Sequence, residues 1–286
     1  MTLVNRAKFV SVLLFAVTML YGVPAFGQMA ELSGEYGNLN HEDARERAGG
    51  PPLGDYLGIP LNEAGLLRAD ANDTSDWGLP EFGCRPHPGP YQWRAAGGVQ
   101  IRKEVDPVSR QLLALHFQWS RSVDRPIYMD GRPHPDEYGQ HNWSGFSTGK
   151  FVGNILEVTT THLKESYMRR NGAYFSDKAT MKEYIYKRDN YLTVVMVLTD
   201  PVYLSEPFIQ TTNYRFNPNV LLEFYPCTVI DEGLTDRRVP HFLPGANPYL
   251  TEWMAKDNIP AEAARGGAET MYPEYRLKLR RNSNNN

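Results

Sequence analysis

TMKEYIYKRDNYLTVVMVLTDP, residues 180–201, decides the fold of this chain. The segment reads as the clearest hairpin of the chain, two strands whose side chains point to opposite faces at period two. Arg188-Asp189-Asn190 then reads as a hairpin turn, because Asp and Asn tolerate the backbone geometry a tight reversal needs. The return strand is apolar on both faces from Thr193 to Leu198, the pattern of a central strand.

The same period extends outward on both sides. VQIRKEV (Val99–Val105) alternates, Asp106-Pro107 turns the chain, and Leu113, Leu115, Phe117 and Trp119 then share one face, which predicts a second hairpin. RPIYMD (125–130), NILEVTTTHL (154–163), PFIQTTNYRF (207–216) and NVLLEFYPC (219–227) complete the set, rich in the β-branched and aromatic residues that suit a pleated surface. Helical patterning is confined to the flanks: LNEAGLLRADA (61–71), capped by Asn62, and NPYLTEWMAKDN (247–258), whose Tyr249, Leu250, Trp253 and Met254 are expected to pack on the barrel. The fold expected is all-β, an antiparallel barrel of lipocalin-like kind that hides its strand edges by closure; a two-sheet sandwich is the alternative.

The N-terminus sets the compartment. Arg6 and Lys8 precede an apolar run from Phe9 to Val23, and Ala25-Phe26-Gly27 supplies small residues for cleavage after Gly27, so residues 1–27 read as a secretory signal peptide. The run is shorter than the ~20 residues of a membrane span, and Pro24 ends it. The expected location is periplasmic or secreted, with no span in the mature protein. Residues 28–60, which include Gly49-Gly50-Pro51-Pro52, read as a flexible segment; 61–232 as one β domain led by a short helix; and 233–286 as a C-terminal arm with a disordered tail. Losing Arg6 and Lys8 takes the net charge from −3 to −5, and a mildly acidic body argues against nucleic acid as partner. Cys84 and Cys227 are the two cysteines; after export they read as one disulfide, worth on the order of 4–5 kcal/mol by chain entropy for so long a loop.

Chemistry concentrates in the loop from Arg125 to Gly153. Asp130, Arg132 and His134 lie within five residues, so a carboxylate, a guanidinium and an imidazole can converge on a small polar ligand, with His134 titrating near neutrality. The competing reading is a turn, in which Asp130-Gly131 bends the chain and Arg132 pairs with an acid. His141 and Trp143 follow, and His162 ends the next strand. Three histidines raise the question of a metal, but their spacing fits no ligand motif and none is assigned; no cofactor is expected. His116 faces either a barrel lumen or the solvent, and His87 reads as structural. Asp177 either caps a turn or partners a loop histidine, and Tyr184 and Tyr186 follow on the next strand. His134, Asp130 and Asp177 are therefore the candidate catalytic groups, and Arg132, His141, Trp143, Tyr184 and Tyr186 the candidate ligand-binding ones, all around one pocket. No G-x-S-x-G, H-E-x-x-H, Walker or dinucleotide signature occurs, which removes most weight from those enzyme classes.

The blocks LGDYLGIPLNEAGLLRADA, CRPHPGPYQWR, IYMDGRPHP, WSGFSTGKFVGN, RNGAYFSDKATM, LTDPVYLSEP and GGAETMYPEYRLK resemble those of a large, uncharacterised family of exported bacterial proteins, over most of the mature chain. The resemblance implies an exported β-rich domain and supplies no reaction. Many of its members carry W-E-G-D where this chain has Phe151-Val152-Gly153-Asn154, so a role resting on those carboxylates is in doubt here. Three functions follow from the residues in order. The first is a small-molecule-binding barrel with an apolar or aromatic ligand. The second is a hydrolase, lyase or isomerase using the His/Asp/Arg loop. The third is a non-catalytic envelope component.

Overall fold

The computed structural model describes residues 31–42, 44, 47, 50–56, 58–72, 84, 86–95, 97–220, 222, 242–260, 265, 267–275 and 277. Residues 1–27, read as a signal peptide from the sequence, most of the expected strand 219–227 with Cys227, and the C-terminal residues 278–286 lie outside them.

Nine strands close a barrel: β1 (Gly34–Asn38), β2 (Gly98–Val105), β3 (Leu112–Trp119), β4 (Arg125–Tyr128), β5 (Phe146–Val152), β6 (Ile155–Thr161), β9 (Thr180–Arg188), β10 (Tyr191–Thr199) and β11 (Phe208–Phe216). Their order around the wall is β1-β11-β10-β9-β6-β5-β4-β3-β2; β7 (Ser166–Tyr167) and β8 (Tyr174–Phe175) form a separate two-stranded ribbon. The hairpin read at 180–201 is β9–β10, paired from Tyr191↔Arg188 to Thr199↔Thr180, and Asp189 takes the left-handed φ of 51° at its two-residue turn. On β10 Leu192, Val194, Met196 and Leu198 are buried inward, whereas Val195 and Val197 are only half-buried on the outer wall. The strand lies between β9 and β11, paired on both sides as a central strand.

Two expectations need correction. Residues 28–60 are not simply a flexible segment: β1 pairs with β2 on one side and with β11 on the other and closes the barrel. A short strand flanked by glycines has too few alternations to announce itself, and its pairing partners lie far away in sequence. The barrel is also mixed rather than wholly antiparallel, because β4 and β5 run parallel, Ile127 opposite Ser147 and Tyr128 opposite Thr148. The long loop between them carries the chain back to the end at which β4 began, and parallel neighbours require such a crossover.

Helix α1 (Glu63–Asp70) is as expected, with the Asn62 side chain accepting from the Gly65 amide at 2.9 Å. A single turn, α2 (Gly89–Gln92), was not foreseen; four residues carry no helical period. In the C-terminal arm, α3 (Glu252–Asp257) follows a 3₁₀ turn at Pro248–Thr251. Its Trp253 and Met254 cluster with Ile259, separate from the barrel core on which they were expected to pack. They meet the Gly54 turn, where φ is 86° and an added Cβ would fall 2.5 Å from the Leu250 carbonyl, so only glycine fits.

Large side chains are buried in the interior. Trp93, directly after α2, is fully buried, with ring centroids 4.7 Å from Trp119 and 6.0 Å from both Phe117 and Tyr214. Its indole N–H donates to Glu183 at 2.6 Å, and its carbonyl accepts from the Tyr214 hydroxyl at 2.9 Å. Arg125 on β4 reaches the same carboxylate with two bonds, at 2.9 and 2.5 Å, and its remaining donors meet Ser147 (3.1 Å) and Thr160 (2.8 Å). Both charged side chains have no exposed surface. Four of the five guanidinium N–H donors find an oxygen, which compensates much of the cost of burying the ion pair.

Candidate functional site

With Trp93, Arg125 and Glu183 occupying the interior, accessible chemistry lies on the outer wall. There β5, β6 and β9 place alternate residues in two cross-strand rows: Thr148–Thr159–Lys182, and Lys150–Glu157–Tyr184. The loop after β4 edges this surface, and between them is a groove of about 360 Å³ lined by these six residues together with Arg132 and Gly131 at its rim.

The loop is held down by its histidines. His134 is half-buried, its ring edge-on to Phe146 at 5.3 Å; Nδ1 lies 2.8 Å from the Thr161 hydroxyl and Nε2 2.8 Å from the Thr148 hydroxyl. Thr161 is in turn 2.7 Å from His162 Nδ1, and His162 Nε2 is 2.6 Å from the Asp136 carbonyl oxygen. Partial burial, then the neighbouring His162, lowers the His134 pKa below the ordinary imidazole value, so this ring is neutral at pH 7. Gly139 lies close to this junction: a Cβ there would come 2.6 Å from Pro135 and 3.0 Å from His162 Nε2.

The other expected residues divide. Arg132 lines the groove but spends its fork on Asp130, with Nε 2.9 and 3.0 Å from the two carboxylate oxygens, and its guanidinium stacks 3.8 Å above the Tyr128 ring. The Arg132 hydrogen bond holds the Asp130 carboxyl below its usual range, so this pair has the geometry of the turn reading. Tyr184 lines the groove; Tyr186, two residues along β9 on the same face, does not. His141 donates from Nδ1 to the Leu163 carbonyl at 2.9 Å and sits 5.1 Å from the His162 ring, which braces the loop base. Trp143 accepts from the Gly89 amide at 2.9 Å through its carbonyl, with Lys164 Nζ 5.2 Å over its ring. Asp177 is exposed before β9 with Lys178 at 4.0 Å, and both ring nitrogens of His134 already have threonine partners, so the Asp177–His134 pairing does not form. His116 faces outward between Asp124 (2.5 Å) and Glu104 (2.9 Å). Burial pulls its pKa down, but those two carboxylates prevail and raise it. His87 is structural, as expected: it is buried edge-on to Tyr91 and its pKa is lowered to about 4, chiefly by desolvation.

Sequence reasoning did not single out Thr148, Lys150, Glu157, Thr159 or Lys182. Period two puts each on the polar face of its own strand, but only the register between β5, β6 and β9 brings them together. Lys150 pairs with Glu157 at 3.5 Å, whereas Lys182 has no carboxylate within ion-pair distance among the described residues. The groove therefore carries one uncompensated positive charge beside two hydroxyls and a tyrosine ring. Among the described residues no group of three or more His, Cys, Asp or Glu is placed to hold a metal, and no helix is long and apolar enough to cross a membrane. Comparison with protein-family models, with curated proteins and with solved structures finds no match.

Proposed function

We propose that this chain is an exported small-molecule-binding protein whose barrel is a rigid support and whose ligand site is the outer groove on β5, β6 and β9. Trp93, Arg125 and Glu183 lie buried inside the barrel, and the groove on the outer wall supports a ligand with a charged portion as well as the apolar or aromatic one read from the sequence. The observation that carries the reading is Lys182, unpaired among the described residues, in a row with Thr148 and Thr159 and next to Tyr184. A small anion with a planar apolar portion suits this set: the ammonium takes the charge, the Thr159 hydroxyl donates to its oxygens, and the phenol ring packs on the flat part. Export through the 1–27 signal, a periplasmic or secreted location, a Cys84–Cys227 disulfide and membership of the exported family the sequence resembles are parts of the same proposal; residues 1–27 and Cys227 lie outside the described residues.

The test is titration of the mature protein with benzoate, phenyl phosphate and neutral benzyl alcohol, followed by amide NMR shifts. The two anions are expected to move β5, β6 and β9 resonances, and Lys182→Ala to weaken them about two- to fivefold, the worth of one exposed charge contact. Higher salt should weaken them in parallel. Equal binding of benzyl alcohol, or shifts unaffected by Lys182→Ala, would overturn the reading.

A further inference from the structure

We infer that Thr148 and His134 form a nucleophile–base pair opening on the groove, for acyl transfer from small anionic esters; this rests on the groove being the ligand site. The direction of the hydrogen-bond chain carries it. A carbonyl oxygen only accepts, so His162 Nε2 donates to Asp136 O; with that single proton on the ring, Nδ1 accepts the Thr161 hydroxyl proton. Thr161 has then used its one hydrogen, so its oxygen accepts from His134 Nδ1–H. His134 Nε2 is thereby left bare, and the Thr148 hydroxyl donates to it at 2.8 Å. With one proton on each ring, a single arrangement satisfies every member. An imidazole that accepts from a hydroxyl at the edge of a groove, with its other nitrogen oriented by a second group, is the arrangement that activates an alcohol nucleophile.

The steps balance. As the Thr148 Oγ–acyl carbon bond forms, its proton passes to His134 Nε2; the bond to the leaving alcohol then breaks and the departing oxygen takes that proton. Water next attacks the acyl-threonine, gives its proton to Nε2, and Thr148 Oγ leaves and recovers it. The net reaction is ester plus water to acid plus alcohol. Lys182, two strands across in the Thr148 row, supplies positive charge for the substrate anion. Orientation of His134 by a neutral threonine hydroxyl, where a carboxylate would stabilise the imidazolium better, makes the turnover slow.

The experiment uses the mature protein with the mono-4-nitrophenyl ester of succinic acid, and its unreactive amide, succinanilic acid, as a binding control. A nitrophenolate burst and a succinyl adduct mapped to Thr148 are expected. Thr148→Val should abolish both, Thr148→Ser retain them, and His134→Gln slow the burst about 100-fold. The burst rate should rise with pH through an ionisation below the ordinary imidazole range. Binding of succinanilic acid in the groove without an adduct on Thr148 would overturn the acyl-transfer step and leave the binding reading intact. No binding of the amide would overturn both, and an adduct confined to Lys150 or Lys182 would show adventitious acylation and overturn the Thr148 assignment.

Discussion

Replacing Glu183 by Gln removes one charge from the barrel interior while keeping the shape of the side chain. Glu183 accepts from the Trp93 indole at 2.6 Å and twice from Arg125, at 2.9 and 2.5 Å, and neither charged side chain has exposed surface. A glutamine offers one oxygen in place of two and turns an NH2 group toward donors. The Arg125 guanidinium is left buried without a counter-charge, a loss of about 3–5 kcal/mol. Against a total stability of ~5–15 kcal/mol that is a fifth or more of what holds the fold. Arg125→Met should cost a similar amount. In the double variant Arg125→Met/Glu183→Leu the two losses should largely overlap, because the penalty is the stranded charge. The Trp93 N–H still lacks a partner there, at about 1 kcal/mol, while Ser147 and Thr160 retain their mutual bond at 2.9 Å. Urea unfolding followed by tryptophan fluorescence measures this, provided the slope with denaturant stays constant. A Glu183→Gln cost under ~1 kcal/mol, or additive single losses in the double variant, would refute a desolvated pair and mean that water reaches the interior.

The pH dependence of stability follows from His87, whose folded pKa of about 4 lies below the unfolded value near 6.5. The unfolded chain binds the extra proton first, so this stability is complete above pH ~6.5 and is lost as pH falls toward 4, up to about 3 kcal/mol; His87→Phe should flatten the urea midpoint across that window. His116 has the opposite sign: its raised pKa gives stability that is present at low pH and lost as pH rises through the folded value, and Asp124→Asn should reduce it in the same titration. Non-reducing peptide mapping of exported protein should recover Cys84 bonded to Cys227; free thiols on both would remove that link from the proposal.

Local periodicity was enough for the β9–β10 hairpin, the β2–β3 hairpin and helix α1, because each is specified by contacts within about twenty residues. Loop composition likewise pointed to the segment holding Arg132 and His134, and one strand tyrosine, Tyr184, does face the same groove. The sequence could not supply the register. β1 closes the barrel through partners more than sixty residues away, and β4 meets β5 in parallel because a long loop returns the chain to its starting end. Arg125 and Glu183, fifty-eight residues apart, read as ordinary polar strand residues until closure turns both inward and pairs them. Lys182 and Thr148 became neighbours on one wall in the same way. Side-chain alternation is written in each strand, but which strands lie side by side, and in what offset, is decided by burial of the whole core, and the site exists only at that level.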